Sequence, residues 1–251
     1  MKDRVTFMDK IDELQKMIAE SSNIVVFTGA GVSTGSGLKD FRSSDGLYKN
    51  PSPYPAEYML SNACFFTHPE EFFEYYKENF NCIKTKPNIT HNYFKELEDM
   101  GKLKAIITQN IDGLHTKAGN KNVYEIHGTI YKNHCIKCHK EYDAKYVFES
   151  KGVPKCTCGE IIKPDVILYG ESLPEDAYTG GLKAISNSDM LIVCGTSLTV
   201  YPASGMVDYF RGKYLVIINN SETPFDYRAD LVINDNLTKV MTKLMNNSNR
   251  K

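Results

Sequence analysis

The sequence predicts an α/β fold in which helices cover both faces of a doubly wound parallel sheet. Short runs of β-branched and aliphatic residues recur between helical stretches, at Asn23–Thr28, Leu103–Asn110, Val123–Gly128, Asp189–Ser197 and Tyr214–Asn220. These runs are continuously apolar and do not alternate, which is typical of strands buried on both faces. The segment "ADLVIND" near the C-terminus predicts a sixth strand. In such a sheet the ligand site lies beyond the carboxyl ends of the strands.

The composition is that of an ordinary globular protein with almost no net charge. The 251 residues are 41% hydrophobic and 24% charged, and 30 basic against 31 acidic residues leave a net charge of −1. This balance argues against nucleic acid or an anionic membrane as the partner. No apolar run approaches the ~20 residues of a membrane span, and the N-terminal segment reads as an amphipathic helix with Ile11, Leu14 and Ile18 on one face. We therefore expect a cytoplasmic location, and a monomer.

Two segments interrupt the alternation of strands and helices. Residues 43–87 are rich in Tyr, Phe and Pro and contain a predicted helix at His68–Phe80, whereas residues 131–163 are rich in Cys and Lys. We expect both to be insertions that form a smaller module within a single core spanning 1–251. The last residues, "NNSNRK", are predicted to be a disordered tail.

Four cysteines in two close pairs predict a structural zinc site of the ribbon type. The pairs are Cys135, Cys138, Cys156 and Cys158. In a reducing compartment such pairs bind metal more often than they form disulfides, and the alternative is unligated thiols. The C-x-C spacing requires a turn, for which Gly159 is suited, and His134 and His139 are the alternative ligands. Cys194 ends an apolar run and is expected in the core.

A glycine-rich loop follows the first strand. Gly29, Gly31 and Gly35 form a G-x-G-x-x-x-G pattern, which differs from the usual dinucleotide fingerprint. The loop is either a phosphate cradle leading into a helix N-terminus or a tight turn. The residues Asp40–Arg42 just beyond it predict a mobile, charged flap over a ligand.

Polar residues follow the other strands as well. Asn110 and Asp112 are suited to hydrogen-bond a carboxamide, although an Asx-turn that caps a helix is the alternative. His127 is either a structural residue or a general base. The second interpretation is favoured if His127 and Gln109 lie at the same edge of the sheet, beyond the carboxyl ends of the strands.

Together these residues resemble the sirtuins, a family of NAD-dependent protein-lysine deacylases, of the bacterial type with a single catalytic core. The resemblance spans roughly residues 18–233 and rests on ordered motifs: "GAGVSTGSGLKDFR", "TQNIDGLH", "HG", the paired cysteines, "PDVILYGESLP", "GTSLTVYPA" and "INN". It implies a Rossmann-like NAD domain with a smaller inserted zinc-ribbon and helical module, and a substrate tunnel between them.

The resemblance also implies site residues. The cofactor loop would contain Gly29, Ala30, Gly31, Asp40, Phe41 and Arg42. The nicotinamide pocket and ribose site would contain Asn110, Asp112 and Gln109. The phosphates and adenosine would lie at Gly195, Thr196, Ser197 and Asn219. The acyl-lysine peptide would add as a strand beside Ile167, Tyr169, Gly170, Thr199 and Val200. His127 would be the catalytic base.

The implied reaction transfers the acetyl group of acetyl-lysine proteins or peptides to NAD, a co-substrate, and releases nicotinamide and O-acetyl-ADP-ribose. Two departures from the family stand out: Lys39 replaces a proline of the flap, which loosens it, and the second cysteine pair is C-x-C. Family members that prefer succinyl or malonyl groups carry Tyr-x-x-Arg, whereas this chain has Tyr76 and Asn79 at that spacing. We therefore expect neutral acyl groups, acetyl first, with Lys77 as the residue that would change this expectation.

Three other functions remain alternatives at this stage. An NAD-dependent dehydrogenase would favour an acidic residue after the second strand, where this chain has "TQNID". A mono-ADP-ribosyltransferase also breaks the nicotinamide bond, and differs in not requiring an acylated peptide. A zinc-ribbon module that binds nucleic acid or protein would leave the polar strand ends unexplained.

Overall fold

The computed structural model describes residues 6–49 and 52–248. The strands in this part of the chain are β1 (Ile24–Thr28), β2 (Leu103–Thr108), β3 (Val123–Glu125), β4 (Gly128–Cys135), β5 (Glu141–Tyr142), β6 (Ile162–Val166), β7 (Met190–Cys194), β8 (Tyr214–Ile218) and β9 (Leu231–Ile233). The α-helices are α1 (Phe7–Glu20), α2 (Ala56–Met59), α3 (Asn62–Thr67), α4 (Pro69–Phe80), α5 (Ile89–Asp99), α6 (Leu114–Lys117), α7 (Ala144–Glu149), α8 (Glu175–Asn187) and α9 (Leu237–Ser248).

The large sheet contains all six predicted strands, and all pair in parallel in the order β3-β2-β1-β7-β8-β9. This is the doubly wound order, in which the chain changes direction across the sheet between β1 and β7. The strands end earlier than the sequence predicts, because the polar residues that follow each apolar run leave the sheet and enter loops. The predicted fold class is confirmed.

Alternate residues of β1 face opposite layers of helices. Ile24 and Val26 pack with α1, α5 and α9, whereas Val25 and Phe27 pack with α8 and the 3-10 segment 203–209. All four side chains are fully buried. Helices on both faces therefore explain why these strands carry continuous apolar runs.

The two terminal helices lie on the same face of the sheet. At the start of α1, the Thr6 hydroxyl accepts from the Asp9 N–H and the Asp9 carboxylate accepts from the Thr6 N–H, a capping box. The predicted apolar face of α1 is buried. The prediction of a disordered tail is wrong for residues 246–248, because α9 continues to Ser248. The remaining tail residues, 249–251, lie outside the described part of the chain.

A smaller antiparallel sheet, in the order β5-β4-β6, is accompanied by an aromatic core. The predicted helix in the first insertion is confirmed as α4, and its Tyr76 ring stacks on Phe72, Phe80 and Phe148 at centroid distances of 5.7, 5.7 and 5.3 Å. Phe148 belongs to α7 in the second insertion, so the two segments share one apolar cluster. The exact boundaries of the inserted module stay a prediction.

Within residues 6–49 and 52–248, no helix has both the length and the apolar character needed to span a membrane.

Two buried histidines pack against each other next to β1. The ring centroids of His91 and His115 are 4.8 Å apart, and neither ring is more than 2% exposed. His91 Nδ1 accepts from the Asn88 N–H at 3.2 Å, and His115 Nε2 lies 3.2 Å from the Thr28 hydroxyl. The other nitrogen of each ring has no hydrogen-bond partner among the described residues. Burial lowers the pKa of both, that of His91 to about 4.

We predict that acidification destabilises the fold through this pair. An unfolded histidine has a pKa of about 6.5, so below that pH the unfolded chain binds protons that the native chain excludes. The free energy of unfolding should therefore fall as the pH decreases from about 6.5 to about 4, by about 3 kcal/mol for His91.

The matched variant is His91→Gln, which keeps an acceptor for the Asn88 N–H and removes the titrating group. Urea unfolding between about pH 7 and pH 4.5 should show a shallower loss of stability in this variant. Equal losses in both proteins would contradict the assignment.

Candidate active site and metal site

A cavity of about 480 Å³ opens at the carboxyl ends of β1, β2, β7 and β8, a volume within the range of small-ligand sites. Every predicted catalytic, cofactor and peptide residue lines it except Thr199, whose hydroxyl lies 2.9 Å from Ser197 Oγ. The lining residues among those predicted are Gly29, Ala30, Gly31, Asp40, Phe41, Arg42, Gln109, Asn110, Asp112, His127, Ile167, Tyr169, Gly170, Gly195, Thr196, Ser197, Val200 and Asn219. The parallel sheet therefore brings distant motifs to one rim.

The glycines after β1 permit a close approach to the loop after β7. The Gly29 N–H donates to the Cys194 carbonyl at 3.2 Å, and the Gly31 N–H donates to the Gly195 carbonyl at 2.8 Å. A Cβ at Gly29 would lie 2.7 Å from Thr196 Cβ, and one at Gly31 would lie 2.7 Å from Gly195 Cα. A phosphate cradle and a tight turn are the two sequence-based interpretations of these glycines, and the N–H groups of Gly29 and Gly31 are already bonded to the end of β7 and to the loop after it. Any side chain here would separate the two loops.

The helix expected after this loop is absent, and two 3-10 turns, Ala30–Val32 and Thr34–Ser36, take its place. Gly37 ends the second turn with a φ of +84°, and glycine-rich segments have low helix propensity. The Asn88 side chain, at the start of α5, donates to the Val32 carbonyl at 2.8 Å and so holds the turns in place. This loop has no α-helical N-terminus to offer a phosphate.

The flap, defined as residues 38–49, folds back on itself at the mouth of the cavity. Asp40 Oδ1 accepts from the N–H groups of Arg42 and Ser43 at 3.0 and 2.8 Å. The Phe41 ring packs against Tyr48 at a centroid distance of 5.5 Å, and the Arg42 guanidinium lies 5.1 Å from the centre of the same ring. Asp40 therefore shapes the turn, and Tyr48 supports the two side chains beside it.

A buried polar group lies at the base of the cavity. The Ser33 hydroxyl donates to Asp112 Oδ2 at 2.6 Å, and Asn110 Nδ2 donates to the Ser33 hydroxyl at 3.1 Å. Asp112 Oδ1 accepts from the Leu114 N–H at 2.9 Å, which is the helix-capping alternative weighed from the sequence. Helix capping thus uses Oδ1, whereas the hydrogen bond from Ser33 uses Oδ2.

Burial dominates the electrostatics of this group. Asp112 is 6% exposed and Asn110 8%, and burial raises the pKa of Asp112 against the hydrogen bonds from Ser33 and Leu114. Ser33 was not among the predicted site residues, although it lies inside the glycine motif. The hydroxyl in the glycine motif was the available sequence signal, whereas its contact with Asn110 and Asp112 is visible only in the structure.

His127 follows the end of β3 and is held in one tautomer. Its Nδ1 lies 3.0 Å from the Gln109 carbonyl, which only accepts, so Nδ1 carries the proton and Nε2 keeps a lone pair. Burial lowers the pKa of His127, opposed by this hydrogen bond. Gln109 is fixed in turn, since its Nε2 donates to Thr196 Oγ1 at 3.0 Å. The imidazole is therefore neutral and oriented at neutral pH.

The peptide loop, defined as residues 167–171, forms another side of the cavity. The Ile167 N–H donates to the His127 carbonyl at 2.9 Å, so the loop is attached directly beside the imidazole. Glu171, which was not predicted, accepts from the Leu168 N–H at 2.9 Å and from Lys163 Nζ at 3.1 Å. Its presence in the quoted "YGESLP" motif was the only sequence signal.

Within the described part of the chain, the four predicted cysteines form a cluster that could bind a metal ion. Their sulfurs lie within 4.8 Å of one another, with Cys135–Cys158 and Cys138–Cys156 each at 3.5 Å. A tetrahedral zinc–thiolate site has Zn–S bonds of ~2.3 Å and hence S–S distances of ~3.8 Å, which these cysteines approach. Gly159 adopts a φ of +90° and provides the predicted turn. The donor set therefore fits zinc.

Neither flanking histidine is part of the cysteine cluster. His134 pairs through Nδ1 with Asp165, and His139 is exposed with a φ of +59°. Four sulfurs complete a tetrahedral shell, and an additional histidine is not required.

Comparison with known proteins gives a consistent result. A model of the Sir2 family matches residues 29–202. An NAD-dependent protein deacetylase of Clostridium acetobutylicum is 54% identical over 238 residues, covering 93% of this chain and 97% of the relative. One of Clostridium perfringens is 53% identical over 241 residues, covering 94% and 99%.

Solved structures agree with the sequence relatives. A Sir2–p53 peptide–NAD+ complex superposes with a TM-score of 0.86 at 37% identity, covering 96% of this chain and 99% of that chain. Sir2Tm bound to a propionylated peptide gives a TM-score of 0.86 at 36% identity, covering 96% and 100%. The chain belongs to the Sir2 family, the sirtuins.

Proposed function

We propose that this protein is an NAD-dependent protein-lysine deacetylase that releases nicotinamide and O-acetyl-ADP-ribose. The observation that carries the proposal is the oriented, neutral His127 facing the same cavity as the buried Asn110–Ser33–Asp112 group. One group is suited to remove a proton and the other to bind an uncharged carboxamide. Family membership and the names of the relatives support the same reaction.

His127 acts as the general base in this proposal. Its Nδ1 proton is committed to the Gln109 carbonyl, so Nε2 is the nitrogen that accepts a proton from a ribose hydroxyl. Because burial lowers its pKa, the imidazole stays neutral at physiological pH and is available as a base.

NAD, when bound, supplies an electrophilic ribose carbon and nicotinamide as the leaving group. We assign the nicotinamide carboxamide to Asn110 and Asp112, whose burial fits a ligand that completes their hydrogen bonds. The phosphate and adenosine side is assigned to the ends of β7 and β8, where donors lie at Thr196, Ser197 and Asn219. Gln109 contacts the ribose, and the flap covers it.

The acetyl-lysine peptide is proposed to add as a strand between the peptide loop and the segment Thr199–Val200. Val200 lines the cavity, while Thr199 lies outside it and is placed to contact the peptide rather than the acetyl group. In this arrangement segments 43–87 and 131–163 form the module that closes the far side of the substrate tunnel.

Deletion of the base should abolish turnover. In His127→Ala we expect loss of at least about 100-fold in deacetylation, because general bases contribute about 10²–10⁴-fold. Mass spectrometry of an acetyl-lysine peptide with and without NAD measures this, and the control is His139→Asn, which replaces an exposed histidine by a residue that tolerates the left-handed conformation there. The wild-type rate should fall only below pH values near the lowered pKa of His127, and so below about 6.5.

Deacetylation without NAD, or unchanged activity of His127→Ala, would contradict the mechanism. Nicotinamide release that does not require an acylated peptide would instead favour the mono-ADP-ribosyltransferase alternative.

Acetyl and other neutral acyl groups are the proposed substrates because the tunnel wall formed by α4 carries no cation. Tyr76, Asn79 and Phe80 line the cavity from this helix. Lys77 faces away, with Nζ donating to the Ser150 carbonyl at 2.7 Å and to the Gly152 carbonyl at 2.6 Å. Among the described lining residues the cations are Lys39 and Arg42, both in the flap.

A basic residue at the tunnel wall should change acyl selectivity. We predict that wild-type kcat/KM for an acetyl peptide exceeds that for a succinyl peptide at least about tenfold, and that Asn79→Arg reduces this ratio. Lys77→Met is the control, and it should leave the ratio unchanged because Lys77 binds Ser150 and Gly152. A ratio that rises in Lys77→Met would show that the Lys77 ammonium reaches the acyl group and contradict its assigned direction.

The cysteine cluster is proposed to hold a structural zinc ion. A complete shell of four thiolates leaves no position for water or substrate, so the ion would stabilise the small module without taking part in the reaction. The Tyr142 hydroxyl, 3.1 Å from Cys156 Sγ, would orient that ligand.

Loss of one ligand should release the metal and lower stability. We predict that Cys158→Ala copurifies with far less than one zinc per chain and melts at least about 5 °C below the wild type. His139→Asn is the control, since asparagine tolerates the left-handed conformation found there. A full complement of zinc in Cys158→Ala, measured by elemental mass spectrometry, would contradict the ligand set.

A further inference from the structure

The flap and the peptide loop meet through two tyrosine hydroxyls. Tyr48 Oη, in the flap, lies 2.7 Å from Tyr169 Oη, in the peptide loop. Both residues line the cavity, and Tyr169 is 38% exposed at its mouth. The hydrogen bond therefore spans the entrance between the loop proposed to cover NAD and the loop proposed to bind the peptide.

Tyr169 is attached to a rigid support. Its N–H donates to the Leu60 carbonyl at 2.9 Å, and its carbonyl accepts from the Asn62 N–H at 3.0 Å. Glu171, two residues later, accepts from Asn62 Nδ2 at 2.8 Å and from Lys163 Nζ at 3.1 Å. The side chains of this ion pair are each less than one-fifth exposed, so the backbone that carries the tyrosine ring is held by several partly buried contacts.

Tyr48, in contrast, determines where the flap side chains lie. Its N–H donates to the Phe41 carbonyl at 3.0 Å, and its ring contacts the side chains of Phe41 and Arg42. Movement of Tyr48 would therefore carry both residues with it. A contact that holds Tyr48 in place therefore also holds the flap in place at the mouth of the cavity.

We propose that the Tyr48–Tyr169 hydrogen bond positions the flap and makes the binding of NAD and of the acyl-lysine peptide interdependent. The two tyrosines are positioning residues, because they act through Phe41 and Arg42. The coupling rests on the proposed function, whereas the anchoring of the flap does not.

The contact does not titrate at ordinary pH. Burial raises the pKa of Tyr48, and the hydrogen bond with Tyr169 raises it further, so the Tyr48 hydroxyl keeps its proton. Interdependence would therefore persist across the pH range of a normal assay.

Removal of one hydroxyl tests the anchoring without any ligand. In Tyr169→Phe, amide hydrogen exchange at Leu47 and Tyr48 should accelerate about three- to tenfold, the effect of losing one net hydrogen bond. Tyr201→Phe, which also removes a hydroxyl from the cavity lining, should leave these amides unchanged. Unaltered exchange in Tyr169→Phe would overturn the proposal.

Kinetics then test the coupling. In Tyr169→Phe the KM for NAD should rise about three- to tenfold, although the residue lies on the peptide loop, and Tyr48→Phe should do the same. The double variant should be no worse than either single one, because both remove the same bond. Additive effects, or a change in the peptide KM alone, would refute the coupling.

The two proposals fail in different ways. A wild type that does not deacetylate would refute the proposed function, while the exchange measurement would still decide the anchoring of the flap. If the wild type deacetylates, but Tyr169→Phe has the same amide exchange in the flap and the same KM for NAD, only this inference is refuted.

Discussion

The close approach of the loops after β1 and β7 is the constraint on which the site depends. The backbone N–H groups of Gly29 and Gly31 donate to the carbonyls of Cys194 and Gly195, at the place where the sheet changes direction. Because β1 and β7 are neighbours in register, no space remains for a side chain between these loops. The cavity then forms around this junction, with its remaining walls supplied by residues after β2, β3 and β8.

One chain of hydrogen bonds links that junction to the imidazole. Thr196, next to Gly195, accepts from the Gln109 side chain, and the Gln109 carbonyl accepts from His127. The tautomer and direction of His127 are therefore consequences of how the loops pack. The imidazole is oriented by a backbone carbonyl and not by a carboxylate, which agrees with the lowered pKa of His127.

Much of this could be predicted from the sequence because it depends on local patterns. Apolar runs predict buried strands, and paired cysteines predict a shared metal site. The 3-10 turns after Gly29, the Ser33–Asp112 hydrogen bond and the direction of Lys77 could not be predicted, since each depends on contacts with residues distant in the chain. The error in the C-terminal tail has the same origin, because helix α9 is stabilised by packing on α1 and α5.

The position of Tyr76 has a consequence for how this enzyme can diverge. Its ring belongs to the aromatic core of the small module and also lines the cavity. This part of the cavity wall is therefore built by the small module and not by the large parallel sheet. Exchanges on one face of α4 can therefore reshape the tunnel while the loops around Gly195 stay intact. Under the proposed function, the acyl selectivity of such a site can change while the residues around the imidazole stay the same.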